Sequence, residues 1–355
     1  MTLPTTYVAG ALLMILSMLC WGSWANTQKL AGKWRFELYS YDLTVGVAVC
    51  AAIVAFTFGS LNSSELTFQE NFLIVSYRKM AYCFGAGMVF NLANMLLLGA
   101  MSIAGLAVSF PVTLGVAVIV TAIWNFALNP QGNAILVLGG VVLVAAAIMV
   151  TVFAYTTHLD LLAEQAKKAA IQIDPRARTS KPKIKPPGAA RTATLSVIAG
   201  ILMGIFSPLL NMGREGDNGV GPYGVALLFA AGMLVSTFLY TPFFLNFPVA
   251  GAPIQFVDYF KGTARQHLLG LLGGGLLALG AAAGFVAVAT PASVKIGPAF
   301  DDTALHAGAV VAALWGLLAW REFKGANERI RLLLAVMLVL YLAGLGMVSI
   351  APLYS

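Results

Sequence analysis

The sequence predicts an all-α polytopic membrane protein, ten transmembrane helices laid out as two inverted five-helix repeats, and three observations predict it. Charged residues make up only 10% of the 355-residue chain and hydrophobic ones 59%, whereas a soluble domain carries roughly 25% charged residues. The charges cluster between apolar runs of about 20 residues, the length that crosses a hydrocarbon core, and the mean hydropathy is +0.86. One basic, proline-rich segment midway along the chain separates five such runs from five more.

A hydropathy window of about 19 residues places the spans at 7–27, 41–60, 80–99, 103–126, 135–155, 193–213, 223–246, 267–289, 298–320 and 331–351. The first run lacks the basic start and small-residue cleavage site of a secretory leader, so it reads as the first membrane helix. Pro111 falls inside 103–126, where a membrane helix tolerates a proline and kinks at it. Glycines recur through 267–289, and Gly85 and Gly87 open the third span; both let neighbouring backbones approach. The chain therefore divides into a first five-helix repeat (1–155), a basic linker (156–192) and a second five-helix repeat (193–355).

Eight of the 21 Lys and Arg residues lie in that linker: Lys167, Lys168, Arg176, Arg178, Lys181, Lys183, Lys185 and Arg191. Its prolines and lack of apolar periodicity read as a solvated connection. Lys29, Lys33, Arg35, Lys261, Arg265, Arg321, Lys324, Arg329 and Arg331 fall on the same side, against Arg78, Lys79, Arg214 and Lys295 on the other. The positive-inside rule puts the linker in the cytoplasm and both termini outside, in a cytoplasmic or plasma membrane. The net charge of +7 is then a topology signal, and no nucleic-acid partner is expected. Cys20, Cys50 and Cys83 sit in apolar runs without metal-ligand spacing and read as packing residues. No metal, cofactor or catalytic residue is expected, and the sequence is compatible with a homodimer.

Self-similarity between the halves is faint. Gly10-Ala-Leu-Leu-Met matches Gly200-Ile-Leu-Met, and the segment from Ser102 through Phe110 and Pro111 to Thr113 matches that from Ser293 to Thr303. Each of the latter runs on to a tryptophan, Trp124 or Trp315. Five spans per half insert the second half upside down, the plan of secondary transporters with a midplane site.

Polar groups at membrane depth are costly and need a partner or a function. Asn91 and Asn94 share a helix face three residues apart. Their amides suit the alternating C=O and N–H edge of a ureide or nucleobase; packing between helices is the other reading. Trp21 offers a plate for a planar ring, while Trp24 and Asn26 suit an interfacial aromatic belt. With Ser109 and Thr113 of the fourth span and Ser207 and Asn211 of the sixth, these make the candidate substrate-binding set: Trp21, Asn91, Asn94, Ser109, Thr113, Ser207 and Asn211. Asp301 and Asp302, with His306 one turn on, are the candidates for a coupling proton; Asp302 equally reads as a cap of its helix. Glu37 and Asp42 read as caps and surface partners of Arg35. Arg214, Glu215 and Asp217 read as a solvated loop.

Four segments carry a family resemblance: Cys20-Trp-Gly-Ser-Trp-Ala-Asn-Thr-Gln-Lys-Leu-Ala-Gly32 with Trp34-Arg-Phe-Glu-Leu38 and Asp42; Gly87-Met-Val-Phe-Asn91-Leu-Ala-Asn94-Met, running into Ile103-Ala-Gly-Leu-Ala-Val-Ser-Phe-Pro111; Phe206-Ser-Pro-Leu-Leu-Asn211; and Arg321-Glu-Phe-Lys-Gly325. They resemble the ureide permease family, within the drug/metabolite transporter superfamily. The resemblance implies ten helices and secondary, proton-coupled uptake of allantoin-like ureides and related nucleobases. One departure is clear: the phosphate-loop-like motif of plant members is missing from 156–192, so no ATP site is expected there. A sugar or cationic-drug carrier of the superfamily is the alternative within transport. A membrane-embedded enzyme fits less well, because His158, His267 and His306 are far apart in sequence.

Overall fold

A computed structural model describes residues 1–61, 66–128, 130, 132–173, 188–216, 218–289 and 303–354. Its elements are α1 (Tyr7–Ser23), α2 (Asn26–Leu30), α3 (Phe36–Thr57), α4 (Phe68–Ile74), α5 (Tyr77–Ala104), α6 (Leu106–Leu128), α7 (Ala134–Ile173), α8 (Ala189–Arg214), α9 (Pro222–Asn246), α10 (Ala264–Val288), α11 (Thr303–Leu314) and α12 (Glu328–Ile350). A π turn, Trp315–Ala319, extends α11. Among the described residues there are nine helices long and apolar enough to cross a membrane, and His306–Ala319 is a shorter apolar one. In lipid every backbone polar group must be satisfied within the segment, which helices achieve.

Local sequence sets the ends. Thr6 caps α1 by accepting from the Ala9 amide, and Asn327 caps α12 by accepting from Ile330. Thr263 and Gln266 form a capping box at α10, and Pro222 stands in the first turn of α9. Gly105, at φ +82, lets α5 stop and α6 start with one residue between them. Leu12, Ile15, Val49, Ile53, Leu138, Val142, Phe238, Leu239 and Val339 are exposed. Such apolar outer surface is what lipid requires and water would not tolerate.

The helices pack α1 on α10 and α11, α3 on α9 and α10, and α5 on α8 and α9. Further pairs are α6 on α7, α8 and α11, and α7 on α12. Two of these interfaces bring backbones together through glycine. A Cβ on Gly46 would strike the Leu271 carbonyl and one on Gly274 the Leu43 carbonyl, across α3 and α10. Between α5 and α9, Gly87 faces the Phe229 carbonyl and Gly232 the Phe84 carbonyl in the same manner.

Hydrogen bonds sort the loops onto two ends of the bundle. At one end Arg35 donates to the Ala252 carbonyl and Arg191 to that of Pro248. At the other, the amino terminus donates to Leu66, Tyr223 to the Thr2 carbonyl, and the Asn133 amide to Ala351.

Three expectations about the elements need correcting. The first span breaks between Ser23 and Asn26. The second begins at Phe36, not 41, so Glu37 and Asp42 lie inside α3 and are buried, not surface caps. The fifth helix continues well beyond 155, to Ile173. Its outer part is rich in Ala, Leu, Lys, Glu and Gln, good helix formers, and Glu164 pairs with Lys168 one turn on.

Candidate functional site

The break after α1 is built by short side-chain caps. Asn26 donates to the Ser23 carbonyl at 2.9 Å and Thr27 to the Trp24 carbonyl at 2.8 Å. The Thr27 hydroxyl also shares a hydrogen bond with Tyr39 of α3 at 2.6 Å. Two tryptophans of the segment after α11 reach the same turn: Trp315 Nε1 donates to Ser23 Oγ at 3.0 Å and Trp320 Nε1 to Asn26 Oδ1 at 2.6 Å. Trp24 is only 1% exposed, its ring 6.2 Å from that of Phe110. Trp24 is therefore an interior residue rather than a belt residue, and Asn26 is engaged by Trp320.

One carboxylate ties three elements together here. Glu322 accepts from the backbone amides of Leu106 and Ala107 at 2.8 Å each, at the start of α6, and it pairs with Lys29 of α2. The Lys29 ammonium also lies 4.9 Å from the centre of the Trp320 ring. Negative charge at a helix N-terminus meets the positive end of its dipole and its unsatisfied amides. A Cβ on Gly105 would occupy the space of this carboxylate. Beside it opens a cavity of about 350 Å³ lined by Gln28, Lys29, Lys33, Trp34, Met101 and Trp320, among others.

Deeper in the bundle Trp21 joins an aromatic cluster centred on Phe90. The Trp21 ring meets Phe90 of α5 edge-on at 5.2 Å; Phe90 in turn lies 5.2 Å from Phe206 of α8 and 5.1 Å from Phe229 of α9. Asn91, next along α5, points its amide nitrogen at α9, within 3.0 Å of the Met233 carbonyl and Ser236 Oγ and 2.9 Å of Thr237 Oγ1. Its donors thus serve helix packing. Its carbonyl oxygen, both polar atoms of Asn94, Ser109 Oγ and Thr113 Oγ1 are buried without a hydrogen-bond partner among the described residues. An unmet buried polar atom costs about 1–3 kcal/mol.

The other expected residues are distributed as follows. Ser207 is buried in α8 beside Pro208, and Asn211 is half-buried one turn on, where its carbonyl accepts from the Glu215 amide. Thus Phe90 brings α8 against Trp21 through Phe206, next to Ser207. His306 is buried on α11, and its carbonyl accepts from Tyr341 at 3.4 Å. Asp301 and Asp302 lie outside the described residues, as does Asp217.

A second titratable cluster escaped the sequence reading. Asp42 accepts from the Tyr259 hydroxyl at 2.5 Å, and its oxygens stand 2.9 and 3.1 Å from His267 Nδ1. Nothing in the sequence pairs His267 with Asp42, 225 residues away; only the packing of α10 on α3 joins them. The available signal was Asp42 itself, a carboxylate within reach of a membrane helix. Tyr259 stands in the 3-10 turn Phe256–Lys261, outside the spans. Burial and then the Asp42 hydrogen bond push its phenol above the usual tyrosine range. Nearby, Arg35 grips Glu37 through Nη2 at 2.6 Å and Nε at 3.1 Å, the pairing expected from sequence, and these bonds raise its guanidinium.

Comparison with known proteins fits this architecture. The chain is 22% identical over 390 residues to ureide permease 2 of Arabidopsis thaliana and 22% over 383 residues to ureide permease 1 of the same plant, covering 94% of each chain in both cases. This is an integral membrane protein. Its likeness to permeases along nearly the whole length supports a transporter and points to that family. No protein-family model matches the chain. A solved crystal structure, 15% identical, superposes with a TM-score of 0.52 over 96% of both chains, a likeness of fold.

Proposed function

We propose that the chain is a secondary active transporter for a small, neutral, hydrogen-bonding solute such as a ureide or nucleobase, coupled to protons and working by alternating access. The observation that carries this is the buried Asn94, whose amide meets no partner in the described structure, with the unpaired hydroxyls of Ser109 and Thr113 on α6. A planar solute with alternating C=O and N–H groups satisfies such an amide edge-on, and Trp21 offers an aromatic surface. Asn91, through its carbonyl oxygen, Ser207 and Asn211 complete the proposed binding set. Asp301 and Asp302, outside the described residues, and His306 on α11 are candidates for the coupling proton. The likeness to proteins named ureide permeases supports the solute class.

Alternating access is proposed to use two inverted halves, with 303–319 as the ninth of ten crossings. Exchanging α1 with α8, α3 with α9, α5 with α10, α6 with α11 and α7 with α12 supports this. The exchange carries α1–α10 onto α5–α8, α1–α11 onto α6–α8 and α3–α10 onto α5–α9, and it returns α3–α9, α6–α11 and α7–α12 to themselves. The glycine-mediated contacts follow the same exchange, Gly46 and Gly274 corresponding to Gly232 and Gly87. Two interlocked groups, α1, α3 and α10 against α8, α9 and α5, would then rock about the midplane.

Uptake of radiolabelled allantoin or uracil by liposomes holding the purified protein tests the reading. Uptake should fall by about tenfold or more in Asn94→Leu, which removes at least one good hydrogen bond to the solute. Uptake unchanged in that variant would remove Asn94 from the site.

A further inference from the structure

We propose that Asp42, His267 and Tyr259 form the proton-binding site of this transporter; the proposal rests on the transport reading above and names the groups that take the coupling proton. Asp42 lies in the seventh position of α3, against α10, with 5% of its side chain exposed. It is held from two sides, by Tyr259 at 2.5 Å and by His267 Nδ1 at 2.9 Å. The rings of Trp34 and Tyr259 meet the imidazole edge-on, at 5.4 and 4.7 Å. His267 itself is 26% exposed. The imidazole is thus partly open while the carboxylate is enclosed behind it, an arrangement suited to passing a proton inward.

The charged groups around the pair face other partners or the surface. On α3, Tyr39 faces Thr27 and Glu37 is engaged by Arg35. In the 3-10 turn, Tyr259 donates to Asp42, whereas Asp258 and Lys261 pair with each other at the surface. On α10, His267 makes the contact and Arg265 is exposed. With a neutral imidazole donating from Nδ1, the pair carries one net negative charge. A proton added at Nε2 gives an imidazolium against the carboxylate and cancels it.

That change occurs next to a conformational joint. Tyr39 is one helical turn before Asp42 and bonds Thr27, which fixes the turn between α1 and α2. Two residues further on, Lys29 ties that turn to Glu322 and the start of α6. A buried carboxylate left without its partner is strongly unfavoured. The protonation state of His267 therefore biases how α3, α10 and the α1–α2 turn sit together.

The test uses the full-length protein in liposomes with radiolabelled allantoin and uracil. Wild type, Asp42→Asn, His267→Gln and Asp301→Asn are compared in two assays. One is counterflow at equal pH on both sides; the other is accumulation under an inward proton gradient with a lumenal pH dye. The ratio of gradient-driven accumulation to counterflow should fall by about tenfold or more in Asp42→Asn and His267→Gln, with proton entry falling alongside. If Asp42→Asn does not fold, His267→Gln carries the comparison. A wild-type ratio in both variants, or a ratio that falls in Asp301→Asn alone, overturns the proposal. Wild-type protein that moves neither probe in either assay overturns the transport reading, and the coupling role with it. A measurement that needs no solute separates the two failures: acidification should change the tryptophan emission of the wild type, and part of that change should be lost in His267→Gln. An emission response to acidification that is the same in wild type and His267→Gln overturns the proton site whatever the transport assays give.

Discussion

Asn91 and Asn94 stand three residues apart on α5, yet the first serves its amide nitrogen to α9 while neither polar atom of the second has a partner among the described residues. Opposite consequences follow for substitution. Asn91→Ala removes the amide whose nitrogen bonds Met233, Ser236 and Thr237 across α9 and should lower stability by about 1–3 kcal/mol, read as a fall in Tm in detergent. Asn94→Leu removes an amide that the fold leaves unmet, so Tm should hold or rise while uptake is lost; a Tm that drops as far as in Asn91→Ala would make Asn94 a packing residue. The sequence brought both residues into view as polar groups at membrane depth, but their different directions depend on which helix lies across from each. Tyr259 gives a pH-dependent case. Its folded-state phenol titrates above the unfolded value of about 10. The stability it contributes is therefore fully present below about pH 10 and lost as pH rises towards the folded-state value. Tyr259→Phe should flatten the alkaline fall in Tm; an unchanged alkaline slope would mean that Tyr259 does not hold Asp42 in solution. Asp42 reads as a surface cap in the sequence because a span starting at 41 puts the carboxylate at its end, whereas α3 starts at Phe36. The polar stretch Glu37 to Asp42 lowers the mean hydropathy of a real first turn and a half.

At the scale of elements, the joint made by Glu322 and the glycine-paired interfaces set what can move. Glu322→Gln keeps the shape of the side chain but leaves Lys29 without its countercharge and weakens the cap of α6. The expected cost is about 2 kcal/mol, in the range for hydrogen bonds to charged groups, with part of it recovered when Lys29→Met is added. Fully additive losses in that double-mutant cycle, measured by thermal or denaturant unfolding, would contradict the pairing. Gly274→Ala drives a methyl group into the Leu43 carbonyl and should destabilise by about 1–3 kcal/mol. Gly275→Ala, with open space around it, should be neutral or stabilising by up to about 1 kcal/mol. Equal effects at the two sites would mean that α3 and α10 do not approach so closely. The glycine-rich run between 270 and 284 was legible as a packing face; which glycine meets which helix was not, because periodicity carries no information about the partner. Likewise the Arg-Glu-Phe motif from 321 enters the sequence reading only through the family resemblance and the count of basic residues. Its glutamate caps a helix more than 200 residues earlier in the chain, a contact that only the fold creates.

At the scale of the whole molecule, composition alone carried the membrane class, because low charge and apolar runs of spanning length leave few other solutions. The end of the first span and the length of the fifth helix were less legible. Side-chain caps set the one, and helix-forming polar residues, invisible to a hydropathy window, set the other. The proposed exchange symmetry was faint in the residues and is carried far better by which helices touch, since packing preserves a two-fold relation after sequence identity has decayed. On that plan the unpartnered groups of α5 and α6 lie in the core from which either end of the bundle is to be reached in turn. The most direct test of that central claim is accumulation of radiolabelled allantoin, uracil and glucose in liposomes holding the purified protein, with and without an inward proton gradient. The expected result is accumulation of allantoin or uracil that appears with the gradient and collapses when a protonophore removes it. Entry of glucose alone would contradict the solute class, and no movement of any of the three in either condition would contradict proton-coupled uptake itself.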